Sequence, residues 1–158
     1  MNMGLTVRPA RAEDADSVGD LAKQFAGYLR GLGDTTDFQL TAEAYLRDGF
    51  GSQRAFAGLV AEVDGRVIGY LLYHFGYDSD AAAPTLHLAD LYVDSALRKR
   101  GAGRALMTAA ASIARARGAR EMIWSVYHAN ELATAFYEKL GAQRISDVFF
   151  TKLRADAL

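Results

Sequence analysis

Apolar and polar positions alternate from Leu5 through "LTVRP" and stop at Pro9, the pattern of a short strand ended by proline. From about Glu13 to Tyr28 the period changes. Val18, Leu21, Ala22, Phe25 and Leu29 recur at three- and four-residue spacing, and Asp14 and Asp16 stand near the amino end, where a helix dipole favours anions. The glycines and turn formers of "RGLGDTTDF" break this helix, and "TAEAYLRDGF" predicts a short second one, opened by Thr41 as a cap without the usual acid at Ala44. "AFAGLVAEV" and "RVIGYLLYHF" flank Asp64-Gly65, a strong hairpin signal because both turn residues need positive φ. After the loop "SDAAAP", "TLHLADLYV" resumes as a strand. Leu106, Ala109, Ala110, Ile113, Ala114 and Arg117 then mark one stripe of a helix from about Gly103 to Arg117, closed by Gly118. "EMIWSVY" predicts a strand, "ELATAFYEKLG" a helix ended by Gly141, and "DVFFTKL" a last strand. Strands first and then strands alternating with helices give the order of an α+β domain, without repeat or linker, over residues 1–158.

Composition narrows what such a domain does. The chain has 158 residues, 51% of them hydrophobic and 23% charged, enough to bury a core as one soluble domain. A net charge of −1 provides no global field for nucleic acid or an anionic membrane, so neither is an expected partner and any anion site is local. The absence of cysteine removes disulfides, thiolate metal sites and a cysteine nucleophile, and is compatible with a reducing cytoplasm. No segment has the apolar length of a signal peptide or a membrane span, so the expected location is cytoplasmic. His74 and His128 have no partners at ligand spacing, and no metal is expected.

The densest cations, Arg98, Lys99 and Arg100, run directly into Gly101, Ala102 and Gly103. A strand, a short glycine loop and a helix start form the arrangement in which free N–H groups face an anion, most often phosphate. No window meets the P-loop pattern, and Leu106 stands where a dinucleotide fingerprint needs its third glycine. A solvated basic turn closing onto a helix is the plain alternative.

Two motifs in order favour the anion site. Arg98-x-x-Gly101-x-Gly103 after a strand resembles the pyrophosphate-binding motif of the Gcn5-related N-acetyltransferase (GNAT) family, and "NELATAFYEKLGA", Asn130 to Ala142, is similar to the family's second motif. "LTAEAYLRDGFG", "LVAEV", "YHFGYD" and "LADLYV" resemble the polyamine (diamine) and thialysine branch of that family, so the likeness spans about Leu5 to Leu153. The resemblance implies a mixed, mostly antiparallel sheet of six to seven strands flanked by about four helices. It also implies an acetyl-CoA-dependent N-acetyltransferase, with acetyl-CoA as co-substrate, acting on a primary amine of a small molecule (a diamine, a polyamine or an amino acid such as thialysine) by direct attack on the thioester.

On that resemblance, backbone amides from Arg100 to Arg104, Ala102 included, hold the pyrophosphate, with Arg98, Lys99, Arg100 and Arg104 adding charge. Leu91, Tyr92 and Val93 pair their backbone with the pantetheine arm, and Asn130 and Ala133 contact the cofactor from the other side. Tyr137 is the candidate acid for the departing thiolate. The branch pattern reads Leu-Glu-Asp where this chain has Leu88, Ala89 and Asp90, so the usual carboxylate base is missing. Strand alternation puts His87 on the face of Ala89 and Asp90 on the other face with Leu88 and Tyr92. His87 is therefore a candidate base, its alternative being a half-buried strand histidine satisfied by a backbone carbonyl. For a cationic acceptor the candidates are Tyr28, Asp34, Asp37 and Asp90, while Arg30 in place of an acid suits an amine that also bears a carboxylate. Two other readings stand beside this one: a protein or peptide N-acetyltransferase, and a non-catalytic acyl-CoA sensor. Relatives of this type imply a homodimer, for which "DVFFTKL" is the candidate interface.

Overall fold

Asp64 and Gly65 both adopt positive φ, 49° and 78°, and turn β2 (Ala57–Val63) back into β3 (Arg66–Asp78) as the sequence requires. The computed structural model describes residues 4–157. β1 (Leu5–Pro9) pairs antiparallel with β2, and β4 (Ala83–Val93) antiparallel with β3. β5 (Met122–Ile123) joins β4 in parallel through Leu86↔Met122 and His87↔Ile123, so the sheet order is β1-β2-β3-β4-β5.

Each face of the sheet carries its own apolar layer. α1 (Ala15–Gly31) and α2 (Ala42–Phe50) cover one face, where Val18, Leu21, Ala22 and Tyr45 meet Val60, Tyr70, Leu72 and Tyr92. α3 (Ala102–Ala116) covers the other, where Leu106, Met107, Ala110 and Ala114 meet Leu59, Ala61, Leu71, Leu86 and Leu88. The small alanines of α3 let its backbone lie close to the strands. α4 (Glu131–Lys139) stands at the β5 end and packs Phe136 and Tyr137 into the α3 layer. Arg8 of β1 joins the layers at the start of α1: its guanidinium makes two hydrogen bonds of 2.8 Å to Asp14 and one of 3.0 Å to Glu62. The Thr41 hydroxyl accepts from the Ala44 amide at 3.1 Å and caps α2 without the missing acid.

The helices match the expectation of about four, but the sheet has five strands, not six to seven. "EMIWSVY" pairs over Met122–Ile123 only, and "DVFFTKL" pairs with no strand among the described residues. Patterning defines the faces of a strand, whereas a strand exists through a hydrogen-bonded neighbour, and this tail has none among the described residues. Phe149 and Phe150 are 86% and 84% exposed. Among the described residues no helix is long and apolar enough to cross a membrane.

Candidate active site

β4 and β5 pair at Leu86 and His87 and then part, so from Leu88 to Val93 the outer edge of β4 has no strand neighbour among the described residues. A bulge lies at the same place. The β3 partners step from Leu72↔Asp90 to Tyr73↔Leu88, leaving Ala89 unpaired. A bulge bends its strand and resets which way the following side chains face. Leu88 lies in the α3 layer, but Tyr92, and with it Asp90, belongs to the α1 face. The expectation that Asp90 shares a face with both Leu88 and Tyr92 therefore fails at Leu88, because simple alternation skips the extra residue.

Asp90 is partly buried on the α1 face, beside Tyr70 of β3. Its carboxylate accepts from the Tyr70 hydroxyl at 2.5 Å and from the Leu91 amide. Burial pushes its pKa up to about 6, against the pull of those two donors. Tyr137 of α4 has its ring centroid 4.8 Å from Trp124 and 5.1 Å from Phe136. Burial, and then the nearby charge of Asp90, raise the Tyr137 phenol above its ordinary range, so it stays protonated at neutral pH.

His87 sits upstream of the bulge. Its ring stacks on His74 with centroids 5.1 Å apart and planes 11° from parallel, and burial together with His74 lowers its pKa. Gly76 makes room for this, since a Cβ there would lie 2.8 Å from His87 Nε2. The two rings line a shallow pocket with Leu88, Ile123, Trp124 and Phe150.

The cation and glycine stretch divides in two. Arg98 turns back toward the sheet: its Nε donates to the Val93 carbonyl at 3.2 Å, and its guanidinium lies 5.0 Å from the Tyr28 ring centre and 5.2 Å from that of Tyr92. Val93 thus has its carbonyl engaged by Arg98. Beyond Arg98, Lys99 and Gly101 take left-handed φ of 65° and 87°, and the chain enters α3 at Ala102. The first helical bond is from the Ala105 amide to the Gly101 carbonyl, so the amides of Ala102, Gly103 and Arg104 precede the ladder. No acid occupies that first turn, and the side chains of Lys99, Arg100 and Arg104 are exposed around it. A Cβ at Gly101 would meet open space, whereas one at Gly103 would meet Phe136 of α4 at 3.1 Å.

Asn130 is buried at the start of α4 and ties several expected residues together. Its side-chain oxygen accepts from the Ala133 amide at 3.1 Å and from the Tyr28 hydroxyl at 2.8 Å. Asp34 and Asp37 are occupied within the loop between α1 and α2: Asp34 accepts from the Thr36 amide and Asp37 from the Gln39 side-chain amide. Tyr70, Trp124 and Phe136 are neighbours of the site that the sequence did not single out. Only the register Tyr70↔Tyr92, which sequence alone does not fix, could have flagged the first.

An unpaired strand edge, the amides ahead of the α3 ladder and a neutral phenol on α4 suit acyl transfer from a phosphate-bearing donor. The chain belongs to the acetyltransferase (GNAT) family, which matches residues 23–142, and is an acetyltransferase. It is 30% identical over 149 residues to thialysine N-epsilon-acetyltransferase of Bos taurus, covering 89% of this chain and 85% of that one. It is 31% identical over 147 residues to spermidine/spermine N(1)-acetyltransferase-like protein 1 of Homo sapiens, covering 89% of this chain and 21% of that one. L-ornithine N5-acetyltransferase NATA1 of Arabidopsis thaliana is 33% identical over 92 residues, 58% of this chain and 40% of that one. In fold, the chain superposes on an integron cassette protein from Vibrio cholerae with a TM-score of 0.78 at 20% identity, covering 98% and 95% of the two chains. Aminoglycoside N-acetyltransferase AAC(6')-Iy, solved in complex with CoA, gives 0.76 at 21% identity and 98% coverage of both chains.

Proposed function

We propose that the protein transfers an acetyl group from acetyl-CoA to the primary amine of a small molecule, a diamine, a polyamine or an amino acid with a terminal amine. The observation that carries this reading is the parting of β4 from β5 beside the amide-rich start of α3. The amides of Ala102, Gly103 and Arg104 and the exposed Lys99, Arg100 and Arg104 suit a pyrophosphate. The free edge at Leu91 and Tyr92 suits an amide-bearing arm lying along it as an added strand. Tyr137, held as a neutral phenol, supplies the proton to the departing sulfur. The relatives named for thialysine, spermidine/spermine and ornithine support an acceptor with an alkylammonium group.

Thiol release from acetyl-CoA, followed with diamines, polyamines, lysine, thialysine, ornithine and short peptides, tests the reading. Release with at least one small amine is expected. Release with peptides alone would move the acceptor to proteins. No release, with acetyl-CoA still raising the melting temperature, would mark a binding protein.

We also propose that a second copy of the chain covers the tail at residues 147–153. Its support is the exposure of Val148, Phe149, Phe150 and Leu153 in a segment that alternates like a strand. Light scattering on the purified protein is expected to give twice the chain mass, and a monomer for Phe149→Ser/Phe150→Ser.

A further inference from the structure

The carboxylate base of the polyamine branch is replaced by Ala89, and Ala89 is also the residue that bulges from β4. These two facts are connected. Without a bulge, Asp90 would follow the parity of Leu88 and point into the apolar layer against α3. The extra residue turns it to the opposite face, where Tyr70 meets it at 2.5 Å. Asp90 keeps part of its surface exposed there, three residues past the last β4–β5 pair and next to the exposed Ala89, which contributes only a methyl group.

We propose that Asp90, held by Tyr70, is the group that takes the proton from the acceptor ammonium. The proposal rests on the acetyltransferase reading above. A carboxylate has about four lone-pair directions, and the Tyr70 hydroxyl and the Leu91 amide use two, which leaves capacity for an ammonium N–H. Tyr70 of β3 meets it directly, Tyr137 of α4 feels its charge, and Tyr92 follows two residues on along its own strand. Phe25 and Tyr28 stand on the α1 side, and Arg98, the cation on that side, is engaged by the rings of Tyr28 and Tyr92. The carboxyl therefore sits among phenols and apolar groups, with a pKa near 6 that suits proton acceptance at neutral pH.

The protons balance. The ammonium gives one proton to Asp90, and the free amine forms its C–N bond to the acetyl carbonyl carbon as the C–S bond breaks. The sulfur leaves with the Tyr137 proton, Tyr137 regains one from the new amide nitrogen, and Asp90 releases its proton to water. His87 is less suited to this part, because it is stacked on His74 where β4 is still paired with β5.

The test is the pH profile of kcat/KM between pH 5 and 9, with the best amine of the panel. The unmodified protein is expected to show an acidic limb near pH 6. Asp90→Asn is expected to lose that limb and at least about 100-fold in kcat, while its Kd for acetyl-CoA stays within about threefold. Tyr70→Phe removes a donor that favours the carboxylate and is expected to move the limb upward, a readout that a merely structural role would not give. His87→Ala, whatever its effect on kcat, is expected to keep the limb in place. A limb that survives in Asp90→Asn, or disappears only in His87→Ala, would overturn the assignment and leave the acetyltransferase reading intact. If Asp90→Asn does not fold, an unmoved limb in Tyr70→Phe overturns it. Binding of acetyl-CoA without transfer to any amine would overturn both.

Discussion

The Tyr28 hydroxyl donates to the Asn130 side-chain oxygen across 2.8 Å, joining the carboxyl-terminal half of α1 to the first turn of α4 over 102 residues of chain. One residue expected to meet the acceptor and one expected to meet the donor are thus bonded to each other. Tyr28→Phe should lose about 1 kcal/mol, the worth of one hydrogen bond. Asn130→Ala should lose roughly 2 kcal/mol, because it also removes the cap on the Ala133 amide and strands the phenol. Urea unfolding of the two variants measures the difference.

Gly103 is constrained by a neighbouring helix. Its added Cβ would lie 3.1 Å from the Phe136 ring, so Gly103→Ala should destabilise the fold by about 1–3 kcal/mol through overpacking. Adding Phe136→Leu should restore part of that stability. If acetyl-CoA affinity recovers along with it, the glycine acts through α4 packing. If stability returns and affinity does not, the glycine also keeps room for the pyrophosphate. Thermal melts with and without acetyl-CoA separate the cases.

Asp14 opposes its own burial. Although desolvation works the other way, Arg8 and the Arg11 amide hold its carboxyl below the ordinary range. A lowered folded-state pKa gives stability that is present above the unfolded value of about 3.9 and is lost as pH falls through the folded value. Asp14→Asn should therefore cost roughly 2–3 kcal/mol above pH 5, with the gap to the unmodified protein closing below pH 4. Denaturant titrations from pH 3 to 7 read this directly.

Asp90 has the opposite sign. Its raised folded-state pKa favours the protonated carboxyl, so its contribution to stability is present below the unfolded value and is lost as pH rises from about 4 to 6. At pH 8 the ionised group is a burden on the fold, and a folded-state pKa of about 6 against about 3.9 unfolded bounds it at about 3 kcal/mol. Asp90→Asn should melt higher than the unmodified protein at pH 8 and no higher at pH 4. A variant that gains stability while losing activity is the expected cost of holding a carboxyl in an apolar site.

The hairpin at Asp64 and Gly65, the cap at Thr41 and the stop at Gly118 were all legible in sequence, because each is chemistry local to a few residues. The turn at Gly101 and the start of α3 were legible for the same reason, since both lie within one short stretch. The course of β4 was not. Asp90 was expected beside Leu88 because alternation assumes one residue per pleat, and the bulge at Ala89 depends on the pairing of β4 with β3. The contacts of Arg98 with the rings of Tyr28 and Tyr92 are not readable from the run of cations, because they depend on how α1 packs against β4. "DVFFTKL" has the pattern of a strand, but pattern does not supply the neighbour that a strand needs.

The bulge at Ala89 also separates inheritance of side chains from inheritance of shape. A deletion of that one residue would leave Asp90, Tyr92 and everything after them on the faces they now occupy, since ordinary alternation from Leu88 leads to the same place. What would go is the bend. On the proposed function, β4 would then lose the free edge that the donor arm pairs with, although every side chain proposed for the chemistry stayed in the chain.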